Sequence, residues 1–314
     1  MTTLERLRGW NQEGILSDAQ HDSLAALIRR EHFSVFLELN ALLYIGVIAF
    51  VGGLGWTFET YSADLGDAFI LAACSVLFAG CLYYCFSRGS RYSHAEVESP
   101  HLAFDYVLYL GCLTLSAELA YIEFRFHLFQ GAWDHYLLFT SATFALLAYR
   151  FDNRFVLSLA LASLAGWFGL SVSAFGFRSS DSLRISALVY GAFVAATGTA
   201  LHRLRIKPHF LESYLHVAAN TVFTAVVSGV IDRSGGALYL VLLAVLAAAV
   251  IALGVRFARF AFVAYGIVYG YAGVTIRIMR HIDTGTATFG YLVVTGTLVI
   301  ILLVVLARRF GRDE

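Results

Sequence analysis

Glu212, His216 and Asn220 follow one another at steps of four within a long apolar run, so on a helix an acid, an imidazole and an amide share one face. Ionisable groups at membrane depth are costly unless they are paired or wetted. Such a column can relay protons or hold a cation, because imidazole titrates near neutrality and a carboxyl group shifts with its surroundings. It can equally act as a hydrogen-bond ladder that pins neighbouring helices, with Glu212 reaching the interface. Glu118, near the outer end of the third apolar run, and Asn40, at the opening of the first, are the other polar candidates. Glu118 has no obvious neighbour in sequence and needs a donor from another helix, with Arg184 or Arg277 as candidates; Asn40, beside Glu38, reads as an interhelical hydrogen-bond former. These five residues are the candidate solute or proton path.

Other constellations read as structural. His94, Glu96, Glu98, His101 and Asp105 crowd one stretch, and imidazole and carboxylate are adequate zinc ligands, but their spacing fits no helical zinc motif. A solvated loop is the expectation there. Cys74, Cys81, Cys85 and Cys112 all fall inside apolar runs, which suits small packing residues and not a secreted disulfide framework. No P-loop, dinucleotide glycine fingerprint, nucleophile elbow or paired-histidine protease helix is present. No catalytic, cofactor-binding or metal-binding residue is therefore assigned.

The elements that must carry the polar residues are long and apolar. The 314 residues are 59% hydrophobic and 14% charged, with a mean hydropathy of +0.72. About ten runs are long enough to cross a hydrocarbon core roughly 30 Å thick. They cover 39–58, 65–87, 102–122, 134–150, 154–173, 183–201, 210–230, 236–255, 260–276 and 286–307. Backbone groups in lipid must be satisfied internally, which leaves helices or a closed barrel. Barrel strands alternate apolar and polar residues. The run from Leu238 to Leu253 does not alternate. The expected fold is all-α: a polytopic membrane bundle of about ten transmembrane helices.

Cationic residues orient it. Sixteen of the 22 basic residues fall in alternate loops and the two ends: Arg6, Arg8, Arg29 and Arg30; Arg88 and Arg91; Arg150 and Arg154; Arg203, Arg205 and Lys207; Arg256 and Arg259; Arg308, Arg309 and Arg312. The remaining six are Arg125, Arg178, Arg184, Arg233, Arg277 and Arg280. The positive-inside rule then places both termini in the cytoplasm. The first outer loop, with Glu59, Asp64 and Asp67 and no base, agrees. A basic rim of this kind attracts anionic lipid and is not a nucleic-acid site. The first 36 residues lack a signal-peptide core, so the first span is expected to serve as its own insertion signal.

Three regions follow: residues 1–36, a transmembrane bundle over 37–310, and a short cytoplasmic tail at 311–314. In the first, Leu4, Leu7 and Trp10 recur at helical spacing, Gly14 breaks the run, and Ser17 with Gln20 reads as a capping box opening a second helix. Leu24, Leu27 and Ile28 give that helix an apolar face. A hairpin this small must bury its stripes against the membrane, the bundle or another chain. The six apolar residues are its candidate docking surface. Within the bundle, Pro100 and Pro208 stand just before helices, where a missing N–H is harmless. Gly266 with Gly270, Gly191 with Ala195, and Ala162 with Gly166 are small-residue faces that let helices approach closely. The aromatic stretch Tyr121–Phe129 reads as an interfacial belt.

Trp10, Gly14-Ile15-Leu16-Ser17 and Gln20, then Leu42-Leu43-Tyr44-Ile45-Gly46-Val47, Leu110-Gly111, Glu118, Tyr121, Gly131, Trp133 and Asp134 make up a pattern. It resembles an uncharacterised family of bacterial polytopic membrane proteins, domain of unknown function 2157, over roughly the first half of the chain. Where that family carries an Asn-Trp pair and a Gln, this chain has Gly55-Trp56 and Glu118. The resemblance implies a bacterial inner-membrane location and brings no activity. An internal echo also runs at an offset of 155 residues: Gly111, Tyr136-Leu137 and Thr140 match Gly266, Tyr291-Leu292 and Thr295. Parallel repeats of this kind occur in transporters.

The functional expectation is a non-enzymatic protein of the inner membrane that binds or moves a small solute, ion or lipid through the polar cluster. The alternative is a scaffold or sensor subunit that docks a protein partner through the hairpin of residues 1–36.

Overall fold

The computed structural model describes residues 66–97, 99–100, 102–128, 133–174, 180–232, 236–279 and 285–310, with 9–11, 14–17, 20, 46, 49, 52, 53 and 56 nearer the start of the chain. Nine α-helices are described: α1 (Asp67–Arg88), α2 (Leu102–Phe126), α3 (Trp133–Phe151), α4 (Arg154–Ala174), α5 (Ser180–Arg203), α6 (Leu211–Val230), α7 (Gly236–Arg256), α8 (Phe260–Met279) and α9 (Gly285–Phe310). A 3₁₀ turn at Pro208–Phe210 leads into α6. No strand occurs among the described residues, so the protein is an all-helical membrane bundle. Eight of these helices are long and apolar enough to span a bilayer. The exception is α3, whose 19 residues include Asp134, His135, Ser141 and Arg150 among the apolar ones. The expected first span at 39–58 lies outside the described residues apart from a few helical positions.

The early part of the chain, Met1–Ile70, is a compact unit by itself. Its turn forms as the residues require: Gly14 takes a left-handed φ of +73°, which costs glycine nothing. The Ser17 N–H donates to Gln20 Oε1 at 3.1 Å and the Gln20 N–H donates to Ser17 Oγ at 3.4 Å. That is a reciprocal capping box. Trp10 is half exposed. Leu4, Leu7, Leu24, Leu27, Ile28 and Asn40 lie outside the described residues.

In the larger unit, Leu71–Glu314, consecutive helices pair antiparallel, with α3 on α4, α5 on α6 and α7 on α8 in the closest contact. Glycine permits that approach. A side chain at Gly191 would strike Val222, one at Gly266 would strike Ile251, and one at Gly166 would press on Leu137. The three small-residue faces expected from sequence are therefore helix contacts. Phe223, Val226 and Val230 of α6 with Leu243 and Ala247 of α7 make a buried apolar core. Hydroxyl groups cross-link other pairs: Tyr190 donates to the Leu161 carbonyl at 2.6 Å, and Tyr149 meets Tyr214 at 3.0 Å. Cys74, Cys81, Cys85 and Cys112 are buried free thiols in α1 and α2.

Loop contacts fix which helix ends share a side. The segment 89–97 bonds to the α3–α4 turn and to the turn before α6, and Arg259 after α7 reaches Glu212. These loops, all from the basic set, gather at one end of the bundle. At the other end Arg184 of α5 bonds to Asp232 beyond α6. The alternation inferred from charge is thus reproduced by packing across α3 to α8.

Candidate functional site

The column on α6 is met by a second column on α8. Glu212 accepts from Arg259 at 2.9 Å and lies 3.7 Å from His216 Nε2. His216 Nδ1 stands 3.1 Å from the Tyr265 hydroxyl, and its ring stacks on Phe262 with centroids 5.0 Å apart. Asn220 accepts from the Tyr269 hydroxyl at 2.9 Å and donates to the His216 carbonyl at 2.8 Å. Thr224 lies 3.4 Å from the same tyrosine hydroxyl. Tyr265, Tyr269 and Phe262 fall at helical spacing on α8, which is why one straight face of α8 can serve three successive groups of α6.

Nearer the opposite end lies a groove of about 650 Å³, lined by Asn220, Thr221, Thr224, Ala225 and Ser228 of α6, by Leu183, Arg184 and Ala187 of α5, and by Ile231 and Asp232 beyond α6. Arg184 is 4% exposed and is held on every side. It donates to Asp181 and Asp232 at 2.6 Å each and to Ser228 at 3.2 Å, and it lies over the Tyr239 ring at 4.7 Å. So Glu212, His216 and Asn220 come together, and Asn220 belongs both to the ladder and to the groove.

Glu118 does not join them. Its carboxylate, 8% exposed, accepts from Ser75 of α1 at 2.5 Å. Arg184, one of the two cations considered for it, is committed to Asp181 and Asp232 instead.

A second polar cluster was not anticipated. Asp152 in the tight α3–α4 turn, with a left-handed φ of +58°, holds Lys207 at 2.8 Å and His209 at 2.5 Å. It also accepts from the Val97 N–H at 2.6 Å. Asp152 and Lys207 are almost wholly buried, and Lys207 lies over the Tyr92 ring at 5.4 Å. Asn153 beside it caps α4 through the Val156 N–H and donates to Asp105 and Tyr109. The Asp-Asn pair between two long apolar runs was the available signal, since both residues favour tight turns and helix starts. In the neighbouring loop Glu96 pairs with Arg154 at 2.8 Å, and the His94 carbonyl accepts from Lys207 N–H. Among the described residues no group of three or more His, Cys, Asp or Glu is arranged to hold a metal ion.

No curated protein and no solved structure matches the chain. The match comes from a family model: residues 8–157, the stretch that carries the tryptophan and glycine pattern, the capping box, α1 to α3 and Glu118, fit the family described as predicted membrane protein (DUF2157), a family of unknown function.

Proposed function

We propose that the protein binds a small polar solute or ion inside the bacterial inner membrane and passes it along the face shared by α6 and α8, with the basic loops in the cytoplasm. One observation carries this reading. Polar side chains run without a break from Glu212 and Arg259 at the basic end to Asn220, which also lines the groove nearer the other end. A polar surface through that depth of lipid is costly to maintain and marks a solute or ion pathway by default. Tyr265 meets His216 and Tyr269 donates to Asn220, hydroxyl contacts that can be exchanged for bonds to a passing solute.

Reconstitution tests it. Proteoliposomes holding a trapped pH dye or isotopic sodium should show entry above empty liposomes. Glu212→Gln and His216→Ala should each lower that entry about tenfold or more, the equivalent of 1.4 kcal/mol on a barrier, while melting like the parent. Equal flux in parent and variants, or none above empty liposomes for any of these probes, contradicts the proposal.

A scaffold or sensor role is the second reading. The capped turn at Ser17 and the half-exposed Trp10 favour it, since they suit a preformed hairpin that docks a protein partner.

A further inference from the structure

We propose that Glu118, Ser75 and Thr114 form a site for a dehydrated monovalent cation of sodium size between α1 and α2. Three observations converge on it. The first is charge. Glu118 is buried roughly 12 Å from the end of α2, at 1.5 Å per residue, and its one hydrogen-bond donor among the described residues is neutral Ser75. No basic side chain approaches it among the described residues, and a buried carboxylate without a cation is strongly unfavourable.

The second is an unused oxygen. Thr199, Thr221 and Thr295 each donate to the carbonyl four residues back on their own helix. Thr114 is 0% exposed, yet its hydroxyl has no hydrogen-bond partner. Leaving such a group unsatisfied costs about 1–3 kcal/mol, so an occupant that accepts its lone pairs is favoured.

The third is placement. Gly111, Thr114 and Glu118 follow at steps of three and four, which puts them on one stripe of α2. Gly111 marks that stripe as the one against α1, because a side chain there would press on Cys81 and meet Phe78. Ser75 reaches Glu118 from α1 itself. Cys74 and Leu115, next in sequence to Ser75 and Thr114, are buried.

The donor set chooses the ion. Carboxylate and hydroxyl oxygens are hard ligands, which suit group 1 and group 2 cations rather than zinc or copper. Calcium takes six to eight oxygens and magnesium a near-ideal octahedron. One carboxylate balances a single positive charge, whereas a divalent ion would keep a net charge buried between apolar helices. The site does not depend on flux along α6.

Isotopic sodium binding to the full chain in nanodiscs, measured at equilibrium with choline as the replacement ion, tests this without any gradient. The parent should bind saturably, one sodium per chain, and melt higher in sodium than in choline. Glu118→Gln should bind none over the same range. Thr114→Val and Ser75→Ala, which keep the helix pair folded, should each weaken binding about tenfold. The proposal is overturned if the parent shows no saturable binding, or if Glu118→Gln binds as the parent does. It is also overturned if melting is indifferent to sodium in parent and variants alike, which is the behaviour of a carboxyl group holding a proton instead.

Discussion

Asp152 is where the bundle concentrates buried charge. Its carboxylate holds Lys207 and His209 from one segment and the Val97 N–H from another, so the loop 89–97 and the turn before α6 are tied through one residue. Removing one member of a buried pair strands the other, at about 3–5 kcal/mol, whereas replacing both with apolar groups is often neutral. Asp152→Asn should therefore lower thermal stability in detergent by an amount of that order. Combining it with Lys207→Met should recover a substantial part, as read by melting of the two variants side by side. This cluster was not legible from sequence, because its members are 55 residues apart and each looks like an ordinary loop residue. The column of Glu212, His216 and Asn220 was legible, since helical periodicity alone aligns it. Its tyrosine partners on α8 were not, because tyrosine in an apolar run reads as packing until the neighbouring helix is known.

Among the elements, close packing rests on glycines whose partners are specific. A side chain at Gly198 of α5 would meet the Tyr214 Cβ at 2.5 Å, and Tyr214 also bonds to Tyr149 of α3. Overpacking of this kind costs roughly 1–3 kcal/mol. Gly198→Val should lower the melting temperature and loosen the α5–α6 pair, while Gly80→Ala, where nothing lies within 4 Å, should leave melting unchanged or raise it slightly. The small-residue faces at 191, 266 and 166 were readable from their spacing because membrane helices have few other ways to approach closely. Gly198 and Gly229 were not, since each faces a single bulky ring with no periodic partner. The helical character of α3 was readable from its apolar stretch, and two of its polar residues, Thr140 and Ser141, lie on its buried face, while Leu138, Phe139 and Leu146 are exposed.

For the molecule as a whole, alternation of charge gave the sidedness of loops that packing then brought together. Loops carrying Arg91, Arg154, Lys207 and Arg259 lie at one end, and the Arg184–Asp232 pair at the other. Because insertion leaves cations on the cytoplasmic side, the groove beside Asn220 lies nearer the periplasm in the proposed orientation. The position of that groove was beyond sequence reasoning, since it depends on which residues of α5 and α6 face one another. The central claim, that the α6 column is wet from that end, is tested most directly by thiol labelling in intact cells. In a background with Cys74, Cys81, Cys85 and Cys112 replaced by alanine, Asn220→Cys and Thr224→Cys should react with a small membrane-impermeant thiol reagent added outside, while Ala218→Cys, buried on another face of α6, should not. Protection of both 220 and 224 from that reagent, with reaction only after the cells are opened or not at all, would contradict it.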